Sequence, residues 1–281
     1  MNYQWYPGHM TKAKRMMQED MKLIDLIIEL VDARIPLSSR NPDIDDLGKG
    51  KARIILLNKS DLADPSINKK WIEYFKKKGM FVLEINSKTG YGLKNIQNAV
   101  NEACKEKIER NRKRGILNRP VRAIVVGIPN VGKSTFINSY AGRACTKTGN
   151  KPGVTKGKQW IKLNKNLELL DTPGILWPKF DDNETGMKLA FIGSINDEIL
   201  ITEELAVDFI KYIALIYPDC IKQKFCIESE IKDEYDYLEY IADNRKCVLK
   251  DNKPDIKKAA RILIDEFRNG GLGKLSLEQP K

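Results

Sequence analysis

Residues 127–134 read GIPNVGKS, and this stretch decides the fold. The apolar run VRAIVV precedes it and TFINSY follows it, so a strand, a G-x-x-x-x-G-K-[ST] loop and a helix are predicted in succession. In such a P-loop, backbone N–H groups and the positive end of the helix bind a chain of phosphates. Lys133 is expected to reach the β- and γ-phosphates, and Ser134 to ligate Mg²⁺. The candidate nucleotide-binding residues here are Asn130, Val131, Gly132, Lys133, Ser134 and Thr135.

The identity of the base is indicated by a loop that lies earlier in the chain. The apolar run RIILL at residues 53–57 predicts a buried strand, and NKSD follows it at residues 58–61. The carboxylate of Asp61 can accept hydrogen bonds from guanine N1–H and from the exocyclic amino group, a pair that adenine cannot donate. Asn58 is expected to tie this loop to the nucleotide and the P-loop, with the stem of Lys59 over the base. GTP or GDP is therefore the predicted ligand.

Another loop, NSKTGYG at residues 86–92, follows the predicted strand MFVLEI. It resembles the S-A-x-x-G-x-G loop that closes over guanine O6 in GTP-binding proteins, with Ser87 and Lys88 as the matching pair. Lys88 replaces the alanine of that motif, but the contact to O6 is usually made by a backbone N–H. The loop is therefore a further candidate for the base site.

Two stretches after the P-loop supply the remaining parts of a nucleotide switch. The polar, Gly-rich stretch at residues 147–157 places Thr155 to sense the γ-phosphate and Mg²⁺. The stretch DTPG at residues 171–174 has the form D-x-x-G. Asp171 is expected to hold Mg²⁺ through water, and the Gly174 N–H to contact the γ-phosphate.

The order of these motifs is unusual for a GTP-binding protein. The common succession is P-loop, switch threonine, D-x-x-G, N-K-x-D and the guanine O6 loop, whereas here residues 58–61 and 87–88 precede the P-loop. A circular permutation explains this order, because the old termini of an α/β fold lie close together and can be joined, here by the basic connector at residues 112–120. The new break falls just after residues 171–174. A movement of that loop is therefore covalently coupled to the C-terminal segment.

The motif order and several stretches together closely resemble the circularly permuted GTPases of the ribosome biogenesis GTPase A (YlqF-type) family. The resemblance runs from residue 3 to DTPGILWPKF and returns at residues 273–280, and it includes WYPGHM, VDARIPLSSRNP, LLNKSD, GIPNVGKST and PGVT. It implies a Ras-like P-loop domain over residues 1–182, with a mostly parallel sheet and helices on both faces. A small all-α domain over residues 183–281, binding rRNA, is implied to follow. The implied function is GTP hydrolysis during late maturation of the large ribosomal subunit.

The catalytic residue is not expected where Ras-like proteins have it. There a glutamine after D-x-x-G orients the attacking water, whereas Ile175 stands here and can neither donate nor accept a hydrogen bond. The resemblance implies that His9, the only histidine, orients the water when the ribosome moves the N-terminal segment inward. Packing or RNA contact is the competing interpretation of His9. The candidate catalytic residues are His9, Thr155 and Lys133.

The resemblance also makes Asn130 a candidate ligand for K⁺ beside the phosphates. In potassium-dependent relatives, an asparagine at this P-loop position ligates a monovalent ion, and the added positive charge offsets charge that develops during phosphate transfer. The alternative is that Asn130 only shapes the loop. The predicted cofactors are therefore GTP or GDP and Mg²⁺, with K⁺ as a further candidate.

Composition indicates the compartment and the kind of partner. The chain has 281 residues, 42% of them hydrophobic, and a net charge of +11, so a globular protein with a polyanionic partner such as RNA is predicted. A solvated Lys-rich surface is the alternative explanation of the charge. Five cysteines without a C-x-x-C pair fit reduced thiols, and neither a membrane-length apolar run nor a signal peptide is visible. We expect a cytoplasmic monomer that binds neither membrane nor DNA.

The remaining segments are predicted to be mainly helical. One helix is predicted over residues 93–110, another begins with Thr202 as its cap, and a third covers residues 255–268 with a basic outer face. A plain helical bundle is the alternative to an rRNA-binding C-terminal domain. Two other functions remain open. One is a P-loop phosphotransferase, against which NKSD argues, and the other is a nucleotide-sensing RNA-binding module with little catalysis.

Overall fold

The computed structural model describes residues 18–117, 119–145, 159–171 and 183–280. The chain divides into two compact units. Among the described residues, 18–171 belong to the first unit and 183–277 to the second, while residues 278–280 return to the first. The sequence assigned these last residues to the C-terminal domain, and the structure differs from the prediction on this point.

A six-stranded sheet forms the centre of the first unit. Its strands are β1 (Leu26–Asp32), β2 (Ala52–Asn58), β3 (Phe81–Glu84), β4 (Val121–Val126), β5 (Gln159–Lys162) and β6 (Leu167–Asp171). Their order is β3-β2-β1-β4-β6-β5, and all neighbours are parallel except the hairpin of β5 and β6. Every residue of β1 is buried, as is usual for a central parallel strand. The predicted α/β fold with a mostly parallel sheet is confirmed.

The helices of the first unit follow the apolar spacing of the sequence. They are α1 (Asp43–Leu47), α2 (Pro65–Lys77), α3 (Ile96–Ala103), α4 (Lys105–Lys113) and α5 (Lys133–Ala141). In α2, Ile67, Trp71 and Phe75 are spaced on one face and pack against Val31 and other core residues of β1 and β2. Asp64 begins this helix by accepting a hydrogen bond from Ser66 N at 2.7 Å.

The single helix predicted over residues 93–110 is wrong. A 3-10 turn at Leu93–Asn95 leads into α3, and Cys104 separates α3 from α4 with φ −102° and ψ 10°. The physical reason is burial, because α3 buries Ile96, Ala99 and Val100 whereas α4 buries no residue. The charged sequence KEKIERNRK therefore forms its own exposed helix beyond the break.

The register of the parallel strands brings three loops to one edge of the sheet. Asp32 at the end of β1 lies opposite Asn58 at the end of β2, and Glu29 of β1 lies opposite Val126 at the end of β4. The NKSD loop, the loop after β1 and the P-loop therefore leave the sheet at the same edge, with the loop after β1 between the other two. Ligands of open α/β sheets bind outside the carboxyl ends of the strands. The nucleotide-binding site is therefore expected at this edge.

In the described residues 183–277 of the second unit, the regular secondary structure consists of helices joined by loops, with one isolated bridge in addition. Aromatic side chains from three helices form its core, since the ring of Phe209 lies 5.2 Å from Phe191 and 4.8 Å from Phe267. No helix among the described residues is both long and apolar enough to cross a membrane. The helices are α6 (Asn183–Phe191), α7 (Thr202–Ile216), α8 (Cys220–Phe225), α9 (Glu234–Asn244) and α10 (Ile256–Arg268).

One of the two predicted helix starts in this unit is correct. Asp255 accepts a hydrogen bond from Lys258 N at 2.9 Å and caps α10. The prediction that Thr202 caps α7 is wrong, because Thr202 is already the first helical residue and Ile201 precedes it without a side-chain cap. Two acidic residues, Glu203 and Glu204, lie instead in the first turn, where they complement the positive end of the helix.

The end of the chain is anchored on the first unit by Glu278. Its carboxylate accepts hydrogen bonds from the backbone N–H of Leu37 at 2.8 Å and of Ser38 at 3.2 Å, and from the Ser38 hydroxyl. The indole N–H of Trp71 donates to the Glu278 carbonyl at 3.3 Å. The tail therefore stabilises the loop after β1, which leaves the sheet at the same carboxyl edge as the P-loop.

Candidate nucleotide-binding site

The P-loop has the backbone geometry that wraps a phosphate chain. Asn130 has φ 59° and Gly132 has φ 101°, and Lys133 begins α5 directly after them. A Cβ on Gly132 would lie 2.5 Å from Asn58 Nδ2, so this position also requires glycine for close approach of the NKSD loop. Ser134 and Thr135 are half-buried in the first turn of α5, and Val131 is buried.

Lys133 is held by the P-loop itself. Its ammonium donates to the carbonyls of Gly127 at 2.9 Å and Ile128 at 3.0 Å, and the residue is buried. These carbonyls belong to the first two residues of the P-loop, so the ammonium is fixed against the beginning of the loop while its backbone begins α5.

Asn58 joins the three predicted nucleotide loops. Its Nδ2 donates to the Val131 carbonyl of the P-loop at 2.7 Å. Its Oδ1 accepts from the backbone N–H of Ser87 at 3.0 Å and from the Ser87 hydroxyl at 2.8 Å. Asn58 is 2% exposed, so these bonds are shielded from water and the three loops are fixed relative to one another. The structure thus brings together the motifs that the permuted order separates in sequence.

Lys59 and Asp61 lie on the outer part of the same loop. Lys59 has φ 58°, and its ammonium donates to the Asn130 carbonyl at 3.1 Å and forms an ion pair with Asp32 at 3.0 Å. Its stem therefore runs alongside the P-loop. Asp61 is exposed in the 3-10 turn Ser60–Leu62, where its carboxylate is accessible to a ligand.

The loop at residues 86–92 is organised by Asn86, which the sequence did not single out. Asn86 Oδ1 accepts from Lys88 N at 2.8 Å and Thr89 N at 3.0 Å. Counting back from Gly90 and Gly92, the S-A-x-x-G-x-G register places Asn86 at the serine and Ser87 at the alanine, one residue earlier than the pair Ser87 and Lys88. The spacing of the two glycines was the signal that could have identified Asn86.

Ser87 is also fixed from the P-loop helix. The Ser139 hydroxyl of α5 donates to the Ser87 carbonyl at 2.6 Å. Ser87 therefore has its N–H, its hydroxyl and its carbonyl engaged by Asn58 and Ser139. Lys88 is exposed beside it. The loop at residues 86–92 is consequently held in place by both the NKSD loop and the helix after the P-loop.

Asp32 and Arg34, from the stretch VDARIP, form a buried ion pair behind the NKSD loop. The Asp32 carboxylate accepts from Arg34 Nε at 2.9 Å and from a terminal guanidinium nitrogen at 2.9 Å. Burial alone would raise the pKa of Asp32, but the positive charges of Arg34 and Lys59 hold it well below the ordinary range. No local sequence pattern indicates the contact of Asp32 with Lys59, because it depends on the pairing of β1 with β2.

Two residues of types that can ligate Mg²⁺ have backbone positions close to the P-loop. Ser134 supplies a hydroxyl at the start of α5, and Asp171 ends β6 opposite Val125, two residues before the P-loop. Hydroxyl and carboxylate oxygens are the ligands that Mg²⁺ prefers. Among the residues that the structure describes, no group of three or more His, Cys, Asp or Glu side chains forms a metal site by itself. The predicted residues His9, Thr155 and Gly174 lie outside the described residues.

Comparison with known proteins shows which family this chain resembles. The family model described as "50S ribosome-binding GTPase" matches residues 122–252, beginning at the P-loop strand. The chain is 46% identical over 278 residues to "Ribosome biogenesis GTPase A" of Bacillus cereus, an alignment that covers 99% of this chain and 94% of the relative.

Two solved structures of YlqF are similar along nearly the whole chain. The structure described as GDP-bound TM YlqF has a TM-score of 0.69 and 28% identity, covering 95% of this chain and 99% of the other. The GNP-bound YlqF of Thermotoga maritima has a TM-score of 0.67 and 29% identity, covering 96% and 99%.

Proposed function

Because this chain belongs to the ribosome biogenesis GTPase A family, we propose that it binds GTP and GDP and hydrolyses GTP while it assists late maturation of the large ribosomal subunit. One observation supports the nucleotide part most strongly. Asn58 joins the NKSD loop, the P-loop and the loop at residue 87 through three hydrogen bonds of 2.7–3.0 Å. These are the loops that carry the base-recognition and phosphate motifs, and they lie at the carboxyl edge of the sheet.

The two sides of the site divide the work of recognition. Asp61 selects guanine, Lys59 lies beside the base, and the loop around Ser87 closes over O6. On the phosphate side, the backbone of the P-loop and Lys133 hold the phosphate chain. Mg²⁺, when bound, neutralises phosphate charge, and Ser134, Thr155 and Asp171 are its proposed protein ligands, with Gly174 contacting the γ-phosphate.

The second unit supplies the proposed RNA-binding surface. Lys257, Lys258 and Arg261 are exposed on α10, while Ala260 and Leu263 of the same helix face the core. This local group of cations can make phosphate contacts with rRNA. We propose a cytoplasmic monomer whose partner is the large ribosomal subunit, with the segment after residue 171 coupling nucleotide state to the helical second unit, residues 183–277.

Hydrolysis separates this proposal from that of an RNA-binding module that only senses nucleotide. Ile175 replaces the water-orienting glutamine, so slow turnover is expected without the ribosome. We propose that His9 orients the water and that Asn130 is a K⁺ ligand. The charge of that ion would stabilise the developing negative charge on the phosphates.

We expect repeated turnover of GTP, faster with large subunits than without them and faster in KCl than in NaCl at equal ionic strength. Phosphate release measured with GTP in excess over protein tests the repeated turnover and both comparisons of rate. Less than one phosphate per protein molecule, with subunits present, would favour the RNA-binding module. Equal rates in the two salts would remove the K⁺ role of Asn130 and leave it the role of shaping the P-loop.

A further inference from the structure

We propose that Asp32 is a positioning residue of the nucleotide site, acting through Lys59. The inference rests on the proposed guanine nucleotide site, because Lys59 meets a ligand only if the base binds beside the NKSD loop. Asp32 is 0% exposed, so it does not itself reach the ligand. Asp32 instead fixes the ammonium end of the Lys59 side chain.

Lys59 is anchored at both of its ends. Its backbone has the left-handed φ of 58°, and its ammonium is held between Asn130 O at 3.1 Å and Asp32 Oδ2 at 3.0 Å. A lysine side chain without such anchors samples many rotamers, and ordering it when a ligand binds costs conformational entropy. With both anchors in place, the stem is already extended along the P-loop before nucleotide arrives. The site is therefore preorganised, which strengthens binding.

The Asp32 carboxylate is itself rigid and charged. Arg34 Nε and a terminal nitrogen of the same guanidinium donate to its two oxygens at 2.9 Å, and the Asp32 N–H donates to Ser39 Oγ at 3.0 Å. Although burial opposes ionisation, Arg34 and Lys59 hold the pKa of Asp32 below its ordinary range. The three side chains carry a net charge of about +1 beside the P-loop, which favours a bound phosphate chain.

Glu29 provides a matched control on the same strand. It is also a buried carboxylate, 2% exposed, and it is paired with Arg53 at 2.8 Å and Arg40 at 3.2 Å. Its partners Arg40 and Arg53 also form ion pairs with Asp45, and none of these residues belongs to the P-loop or the NKSD loop. A loss of buried charge pairing can thus be separated from a loss of the Lys59 anchor.

The test is a double-mutant cycle on the dissociation constant of fluorescent mant-GDP. Asp32→Asn and Lys59→Met are each expected to weaken binding by about tenfold. The double variant is expected to bind no more weakly than Lys59→Met alone, because Asp32 acts through the ammonium that this variant lacks. Glu29→Gln is expected to lower the urea midpoint of unfolding while keeping the parental dissociation constant.

Three results would overturn the inference. The first is a dissociation constant for Asp32→Asn equal to that of the parent. The second is a double variant whose fold-increase in the dissociation constant is the product of the two single increases. The third is an increase for Glu29→Gln as large as that for Asp32→Asn. Should Asp32→Asn not fold because Arg34 is left buried without its partner, the combined variant Asp32→Asn with Arg34→Met removes both charges and is expected to show the same loss. A parent protein that does not bind mant-GDP would instead contradict the proposed function, and this inference with it.

Discussion

Replacing Asp61 with asparagine is expected to weaken GDP binding by about tenfold or more and to shift preference toward xanthosine diphosphate. In the proposed site the carboxylate accepts two hydrogen bonds from guanine, whereas the asparagine amide would present a donor where guanine already donates. Xanthine has an acceptor at that position and restores the pairing. Asp61 is exposed in the turn Ser60–Leu62, so the change acts on the ligand rather than on the core. Titration of the parent and the variant with both nucleotides measures the effect.

Asp64→Asn is the matched control for this change. Asp64 lies three residues further along and caps α2 through Ser66 N at 2.7 Å, without belonging to the NKSD motif. Its replacement is expected to leave the preference for guanine over xanthine unchanged. If Asp61→Asn binds GDP as tightly as the parent does, the assignment of residues 58–61 to the base site is wrong.

Replacing His9 with alanine is expected to reduce ribosome-stimulated GTP hydrolysis by about 100-fold or more. The proposal gives His9 the task of orienting the attacking water, which Ile175 cannot perform. Alanine removes both the donor and the acceptor of the imidazole. The affinity for mant-GDP and the binding of large subunits are expected to stay nearly parental, because His9 has no proposed role in either. Single-turnover phosphate release with subunits in excess measures the rate.

A second substitution distinguishes water positioning from packing or RNA contact. His9→Gln keeps a group that donates and accepts hydrogen bonds, so it is expected to recover part of the stimulated rate, while His9→Leu fills the space without recovering it. A stimulated rate that survives His9→Ala would assign the water to another residue or to an rRNA group. Loss of subunit binding in both His9→Ala and His9→Leu would make His9 an RNA contact.

The central sheet and the nucleotide loops could be predicted because their signals are local. The strands β1, β2 and β4 each contain five apolar residues, and the NKSD motif and the P-loop directly follow the apolar parts of β2 and β4. The permuted order did not obscure this, since each strand–loop unit is read independently. The loops meet because their strands are parallel and end at one edge of the sheet. This meeting could be predicted only after the fold had been inferred, because no local pattern shows it.

The features that were missed depend on tertiary contacts. The role of Asp32 appears only when β1 and β2 pair and bring its carboxylate to Lys59. The break at Cys104 coincides with the change from a helix that buries three residues to one that buries none, which a continuous helical propensity conceals. The anchoring of Glu278 on Ser38 joins positions 240 apart in sequence, and no local pattern indicates such a contact.

The central claim is that the nucleotide controls binding to the large ribosomal subunit, and co-sedimentation tests it most directly. The protein, without nucleotide, with GDP or with a non-hydrolysable GTP analogue, is centrifuged with large subunits through a sucrose cushion at two salt concentrations. We predict most protein in the pellet with the analogue, less with GDP, and a steep loss at the higher salt as phosphate contacts are replaced by counterions. Absence of the protein from the pellet, or equal amounts in all three nucleotide states, would contradict the account.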